Sequence, residues 1–299
     1  MAINVEESVK NEIAIVTGAS SGIGQATAER LASAGYKVYG TSRRARPGQR
    51  SFEMLPLDVT NDQSVENAIG EVIRREGRID LLVNNAGFST APAGAEESSL
   101  EQAQSIFDTN FFGIVRMTRA VAPHMRRQRA GRVINIGSAF GFLPAPFMAF
   151  YAATKHAVEG YSESLDHELR MWGIRVSVIE PANTKTQFEA NLLQPDAPLD
   201  EYAEARSIVG KRLTEMMEDG DDPIVVADTV LKAARAAHPK LRYTSGSSAR
   251  TLRLLRTFAP AGVVDAALRK ELRLNSLFEG RAHVRTLVGM NASQEKSGS

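Results

Sequence analysis

Two hydrophobic periods take turns along this chain. Ile13–Thr17, Lys37–Thr41, Ile79–Val83, Arg132–Ile136 and Ile174–Ile179 are short apolar runs with the length and β-branched content of buried strands. Stretches with apolar residues at helical spacing separate them: Ile23–Ala34, the face Val65, Ile69, Val72 and Ile73, a long pattern from about Leu100 to Arg126, and Tyr151–Trp172. Phe52–Asp58 reads as a further strand, weakened by Pro56, which removes a ladder donor. Asp222 and Pro223 mark the start of a helix through His238, with proline at the first helical position, and Leu241–Thr244 reads as a last strand. Between them and the earlier pattern, residues 184–220 are polar, carry Pro195 and Pro198, end in an acidic run and show no clear period.

Strands alternating with helices predict right-handed βαβ units, hence an α/β fold with a doubly wound parallel sheet of the Rossmann type. Such sheets bind ligands at the carboxyl ends of their strands, near the topological switch point. A glycine cluster, an Asn-Asn-Ala-Gly turn and Ser138 all fall at predicted strand ends. The pattern divides the chain into a nucleotide-binding and catalytic domain over residues 1–245, a basic helical extension over 246–290, and a disordered tail over 291–299.

Composition narrows the chemistry. With 299 residues, 43% hydrophobic, and no cysteine, the chain is globular and excludes disulfides, thiolate metal sites and cysteine nucleophiles. The five histidines are scattered, so no metal site is expected. A net charge of +1 gives no bulk attraction to nucleic acid. The N-terminal segment lacks the apolar core of a secretory signal. Residues 133–154 carry no charge, yet Gly137, Gly141, Pro144 and Pro146 break any membrane helix there. The reading is a soluble, cytoplasmic protein.

Gly18, Gly22 and Gly24 lie between a predicted strand and helix, spaced GxxxGxG. Such a turn brings a pyrophosphate against helix amides; the alternative is a tight β–α turn with no ligand. The second strand ends in Ser42, Arg43 and Arg44 where an NAD site places an acid for the ribose. A guanidinium pairs instead with a 2′-phosphate, so NADP(H) is favoured, the alternative being a solvated loop of Arg43, Arg44 and Arg46. Tyr151 and Lys155 share one face of a predicted helix. A nearby ammonium would lower the phenol's pKa and make Tyr151 a proton donor and acceptor, with Ser138 bonding a substrate oxygen beside it.

Together these elements resemble the classical short-chain dehydrogenase/reductase family, NADP(H)-preferring. The matching residues are Thr17, Gly18, Gly22, Ile23 and Gly24, then Asp58, Asn84 to Gly87, Asn110, Ser138, Tyr151, Lys155, Pro181 and Thr184, in the family's order and spacing. The resemblance implies an oxidoreductase interconverting a carbonyl and an alcohol, with Asn110, Ser138, Tyr151 and Lys155 catalytic. It implies nucleotide contacts from the turn (Gly18, Ser20, Ser21, Gly22, Ile23, Gly24), Arg43, Asp58 and Val59 at the adenine, Asn85, Ala86 and Gly87 at the adenosine ribose, and Pro181 and Thr184 at the nicotinamide. Tyr151 and Lys155 would touch the cofactor too, and Asn110 would hold a relay water through Lys155. Ala182 stands where the family usually has glycine. A homodimer or homotetramer through the helices at 100–126 and 151–172 is also implied. A non-catalytic NADP(H)-binding sensor or scaffold is the competing function.

The apolar run Ala139–Phe150 either walls a substrate pocket or fills core. The first reading, with a further likeness to hydroxysteroid and retinol dehydrogenase-like members, suggests a lipid-like ketone, aldehyde or secondary alcohol. Residues 232–286 carry a net charge of +9, leaving −8 on the remainder. The helix predicted at Ser248–Phe258 has a basic and an apolar side, fitting either packing on the sheet domain, which is favoured, or contact with an anionic membrane.

Overall fold

The structure, a computed structural model, describes residues 12–45, 50–186, 192–275 and 277. Its order begins β1 (Ile13–Val16), α1 (Gly22–Ser33), β2 (Lys37–Ser42), β3 (Glu53–Pro56), α2 (Asp62–Glu76) and β4 (Leu81–Asn84). It continues through α3 (Leu100–Phe107), a π-helical turn (Asp108–Phe112), α4 (Gly113–Gln128), β5 (Gly131–Ile136), α5 (Ala149–Arg170) and β6 (Ile174–Pro181). The remainder is α6 (Ala203–Glu218), α7 (Pro223–Arg235), β7 (Arg242–Ser245), α8 (Gly246–Phe258) and α9 (Ala261–Glu271).

The strands form one parallel sheet in the order β3-β2-β1-β4-β5-β6-β7. The chain winds outward from β1 through β2 to β3, then returns to β1's other side with β4, which puts the switch point between β1 and β4. Alternation along each strand splits the core into two layers. Ile13, Ile15, Leu82, Val133 and Val176 face Val65, Ile69 and Val72 of α2, Met117, Val121 and Met125 of α4, and Leu165 of α5. Ala14, Val16, Leu81, Val83, Ile134 and Ile179 face Ala28 and Leu31 of α1 and Val226 and Val230 of α7. Each fully buried aliphatic side chain of this kind contributes about 2 kcal/mol. Because both faces are covered, the strands read as unbroken apolar runs.

Local chemistry sets the ends. The Asn61 side chain accepts from Ser64 N at 2.8 Å to cap α2, and Asp222 accepts from Ile224 N at 2.9 Å to cap α7 ahead of Pro223. Pro56 is tolerated because it closes β3, the outermost strand.

Two expectations are corrected. The helical pattern from Leu100 to Arg126 holds as an unbroken helical run but is not a uniform α-helix: α3 and α4 are joined by the π turn that contains Asn110. The aperiodic stretch 184–220 contains the helix α6. Its apolar residues Val209, Leu213 and Met216 meet Leu272 and Leu274, which follow from the far end of the chain. The proposed tail at 291–299, much of the basic segment beyond residue 275, and the N-terminal segment before residue 12 lie outside the described residues. Among the described residues no helix is long and apolar enough to cross a membrane.

Candidate active site

The predicted residues converge on the carboxyl edge of the sheet, after β1, β4, β5 and β6. After β1 the chain turns at Gly18, whose φ of +66° is a left-handed conformation. A Cβ on Gly24 would lie 2.2 Å from the Gly18 carbonyl oxygen and 2.5 Å from the Asn85 amide nitrogen, so only glycine lets α1 start there. Ser21, the residue that opens α1, makes no side-chain cap, and the first turn holds no acid. The helix therefore starts with backbone N–H groups uncapped by any side chain, an arrangement suited to the pyrophosphate of a nucleotide. Ser20 and Ser21 are exposed beside it, and Ile23 packs inward on the second core layer.

The turn after β4 locks this cradle. Thr17 Oγ1 accepts from the backbone N–H of Asn85 at 2.9 Å and of Ala86 at 3.0 Å. The Asn85 amide donates to the Thr17 and Gly18 carbonyls at 2.9 and 3.2 Å. Asn110 then ties the same segment to α5. Its Oδ1 accepts from Phe88 N at 2.9 Å, and its Nδ2 donates to the Phe88 carbonyl at 2.8 Å and Thr154 Oγ1 at 3.3 Å. Thr154 in turn donates to the Tyr151 carbonyl at 2.7 Å. Thus the Asn110 side chain is committed to the frame.

Ser138 follows β5 in extended backbone, and its Oγ accepts from Phe140 N at 3.2 Å. The same hydroxyl hydrogen-bonds the Tyr151 phenol. Lys155, buried and one turn further along α5, donates through Nζ to the Ile136 carbonyl at 2.9 Å, with Nζ 5.7 Å from the centre of the Tyr151 ring.

The electrostatics differ from the expectation. Burial pushes the Tyr151 phenol up to about 12, against the Ser138 hydrogen bond that lowers it. Burial also pulls the Lys155 ammonium down to about 8, against the Glu159 carboxylate that raises it. The ammonium does not lower the phenol in this arrangement. It is itself short of solvent and is turned to a backbone carbonyl.

At the adenine end, burial works to raise the Asp58 pKa. Hydrogen bonds from Thr60 N at 2.9 Å and Thr60 Oγ1 at 2.7 Å, with Arg43 and Arg116 nearby, outweigh it and hold the carboxyl below its ordinary value. Val59 is core, packed against Gly113. Arg43 and Arg44 are exposed, and Arg46 lies outside the described residues.

Sequence reasoning missed Arg50. From the approach to β3 its guanidinium donates to the Ala19 carbonyl at 3.0 Å and the Ser20 carbonyl at 3.3 Å, inside the phosphate turn, and it lies over the Phe52 ring. No spacing along the chain signals that reach.

On the far side, Pro181 ends β6. Thr184 is buried and bridges to Asp221, and Ala182 packs against the cluster of Phe142, Leu143 and Val264. The apolar run divides between its two readings. Phe142 and Leu143 are core beneath Leu252 and Leu255 of α8, whereas Phe140 is half-buried and meets the Tyr151 ring edge-on at 6.5 Å. On α8 itself, Leu254 and Phe258 remain exposed.

Comparison with known proteins agrees with this geometry. Residues 12–197 match the short chain dehydrogenase family. The chain is 36% identical over 262 residues to the 3-ketodihydrosphingosine reductase of Bacteroides thetaiotaomicron, covering 86% of this chain and 97% of that protein. Retinol dehydrogenase 8 of Bos taurus is 33% identical over 270 residues, 83% of this chain and 86% of its own. The 17-beta-hydroxysteroid dehydrogenase type 1 of Mus musculus is 35% identical over 274 residues, 84% and 78%. Among solved structures, a short-chain dehydrogenase/reductase from Burkholderia phymatum in complex with NAD is similar with a TM-score of 0.72 and 28% identity, covering 83% of this chain and 94% of that one. A short-chain dehydrogenase from Burkholderia cenocepacia in complex with NADP gives 0.69 and 25%, covering 87% and 98%.

The chain belongs to the short-chain dehydrogenase/reductase family. It is a nucleotide-binding oxidoreductase that acts on alcohol and carbonyl groups with a nicotinamide cofactor.

Proposed function

We propose that the protein is an NADP(H)-dependent reductase of an apolar ketone or aldehyde, with Tyr151 as the general acid. The observation that carries this reading is the hydrogen bond between Ser138 and a Tyr151 phenol that burial keeps protonated at neutral pH. A protonated phenol is the form that donates to a carbonyl oxygen as it gains negative charge. The bound nicotinamide nucleotide supplies the hydride. Ser138 orients the substrate oxygen toward Tyr151. In this reading Lys155, as ammonium, would hold ribose hydroxyls in addition to the Ile136 carbonyl. Asn110 fixes the Phe88 and Thr154 segments that carry the cradle and the phenol.

The preference for NADP(H) is supported by Arg50 at the phosphate turn, by the exposed Arg43 just past β2 near Asp58, and by Ser42, not an acid, at the end of β2. Gly18, Ser20 to Gly24, Asp58, Val59, Asn85 to Gly87, Pro181 and Thr184 complete the nucleotide contacts in this reading. Phe140 beside Tyr151 favours an apolar substrate, as do relatives named for a sphingosine derivative, retinol and a hydroxysteroid. In the same reading α8 and α9 belong to a helical extension of the catalytic domain. Association into a dimer or tetramer is supported by the exposed Leu100 at the start of α3 and Phe112 in the π turn.

The test is Tyr151→Phe. Turnover of NADPH with long-chain ketones should fall at least about a hundredfold while NADPH binding, followed by fluorescence, stays intact. Retained turnover would overturn the assignment.

A further inference from the structure

Beneath the Ser138 loop lies a group of charged side chains that the reaction above does not use. Glu159 is one helical turn beyond Lys155 on α5, and Glu180 immediately precedes Pro181 on β6. Both are buried, and Glu180 is 0% exposed. Glu159 Oε2 accepts from Arg242 Nε of β7 at 2.8 Å, and Arg242 also pairs with Glu163 of α5. Glu180 Oε1 lies 3.2 Å from Arg253 Nη1 of α8 and 3.8 Å from Arg242 Nε. Neither pairing is aligned as a hydrogen bond, so both Glu180 oxygens and Glu159 Oε1 lack one. Both carboxyls reach Arg242 Nε, at 2.8 and 3.8 Å, and burial beside a second carboxyl favours the neutral form of Glu180.

The location gives this group its reach into the site. Cβ atoms built on Gly137 and Gly141, which bracket Ser138, would lie 3.2 and 3.4 Å from Glu159 Oε1, so that carboxyl is the floor of the loop. Arg253 lies 4.7 Å from the centre of the Phe142 ring, at the loop's far end. The ammonium of Lys155 is raised toward its charged form by Glu159.

We propose that Glu159 and Glu180, clamped by Arg242 and Arg253, form a positioning unit that seats the Ser138 loop and holds Lys155 as an ammonium. The facing groups are Glu159, Glu163 and Lys155 from α5, Glu180 from β6, Arg242 from β7 and Arg253 from α8. Glu180 is pushed up to about 7, by burial first and by Glu159 second, against Arg253 and Arg242, so it takes up a proton near neutrality. This inference rests on the assignment of Tyr151 and Lys155 above.

The experiment is the pH dependence of kcat for carbonyl reduction in the full chain, for wild type, Glu159→Gln and Glu180→Gln, with Tyr151→Phe as reference. Glu159→Gln should move the alkaline limb down by about one pH unit, a tenfold loss on that side, with NADPH binding changed less than about twofold. Glu180→Gln copies the protonated carboxyl, so it should fold and should remove any inflection near pH 7. An unmoved limb in Glu159→Gln, or a uniform loss at every pH, would overturn the proposal. So would an inflection that survives in Glu180→Gln, or failure of that isosteric variant to fold. If Glu159→Gln fails to fold, Arg253→Gln decides. Its loss of kcat without a matching rise in KM supports the unit, and unchanged kcat overturns it. Activity persisting in Tyr151→Phe would instead sink the underlying assignment, which keeps the two failures apart.

Discussion

Lys155 turns its ammonium to the carbonyl of Ile136 at 2.9 Å, at the end of the strand that delivers Ser138. One bond thereby couples α5 to β5 across the catalytic edge.

The first consequence is a pH limb. Lys155 is charged below about 8 and loses its proton as pH rises through that value, because burial lowers the native pKa. Reduction at saturating NADPH should therefore decline above about pH 8, approaching tenfold per unit. Tyr151, held up to about 12, contributes no loss in that range. A flat profile between about pH 7 and 9 would contradict the assignment of Lys155.

Arg50 gives a test of cofactor choice. Replacing it with alanine removes a guanidinium from the Ala19 and Ser20 carbonyls. Binding of 2′,5′-ADP by calorimetry should weaken about tenfold, the loss typical of a charge-assisted contact, while NADH binding changes little. Equal weakening of both would assign Arg50 to holding the turn alone.

Stability has its own reporter. The carboxylate of Asp166, buried in α5, accepts from Arg175 Nε and Val176 N, each at 2.9 Å, and from Arg170. Burial opposes its charge, yet Arg175, Val176 and Arg170 bring its pKa down to about 2. A carboxyl lowered on folding stabilises the native state above its unfolded pKa, and that contribution fades as pH falls from about 4 toward 2. Asp166→Ala should cost about 3 kcal/mol in urea unfolding at pH 7, because Arg175 is left unpaired, and the difference from wild type should shrink in acid. A constant difference across that range would refute the ion-pair account.

Much of the fold was legible because β1, β2, β4, β5 and β6 are buried on both faces and read as unbroken apolar runs. The meeting of Ser138, Tyr151 and Lys155 at one edge was legible for a similar reason: their positions are bound to a strand end and to helical spacing. Helix α6 escaped because only Ala205 and Val209 of it are buried, and the residues that cover its apolar side come from beyond residue 270. Arg50 escaped because its partners are thirty residues away. The state of Tyr151 escaped because desolvation belongs to the packed site and to no local motif.

The π turn at Asp108–Phe112 carries one more implication. An extra residue there rotates everything downstream by about 100° relative to an ideal helix. Winding the same residues as plain α-helix would spin Met117, Val121 and Met125 off the sheet, whereas deleting one residue from 108–112 would keep their phase and lose the displaced segment that carries Asn110. The irregular coil is thus the phase-setting joint between two helices that each look ordinary, and a locally better helix would make a worse protein.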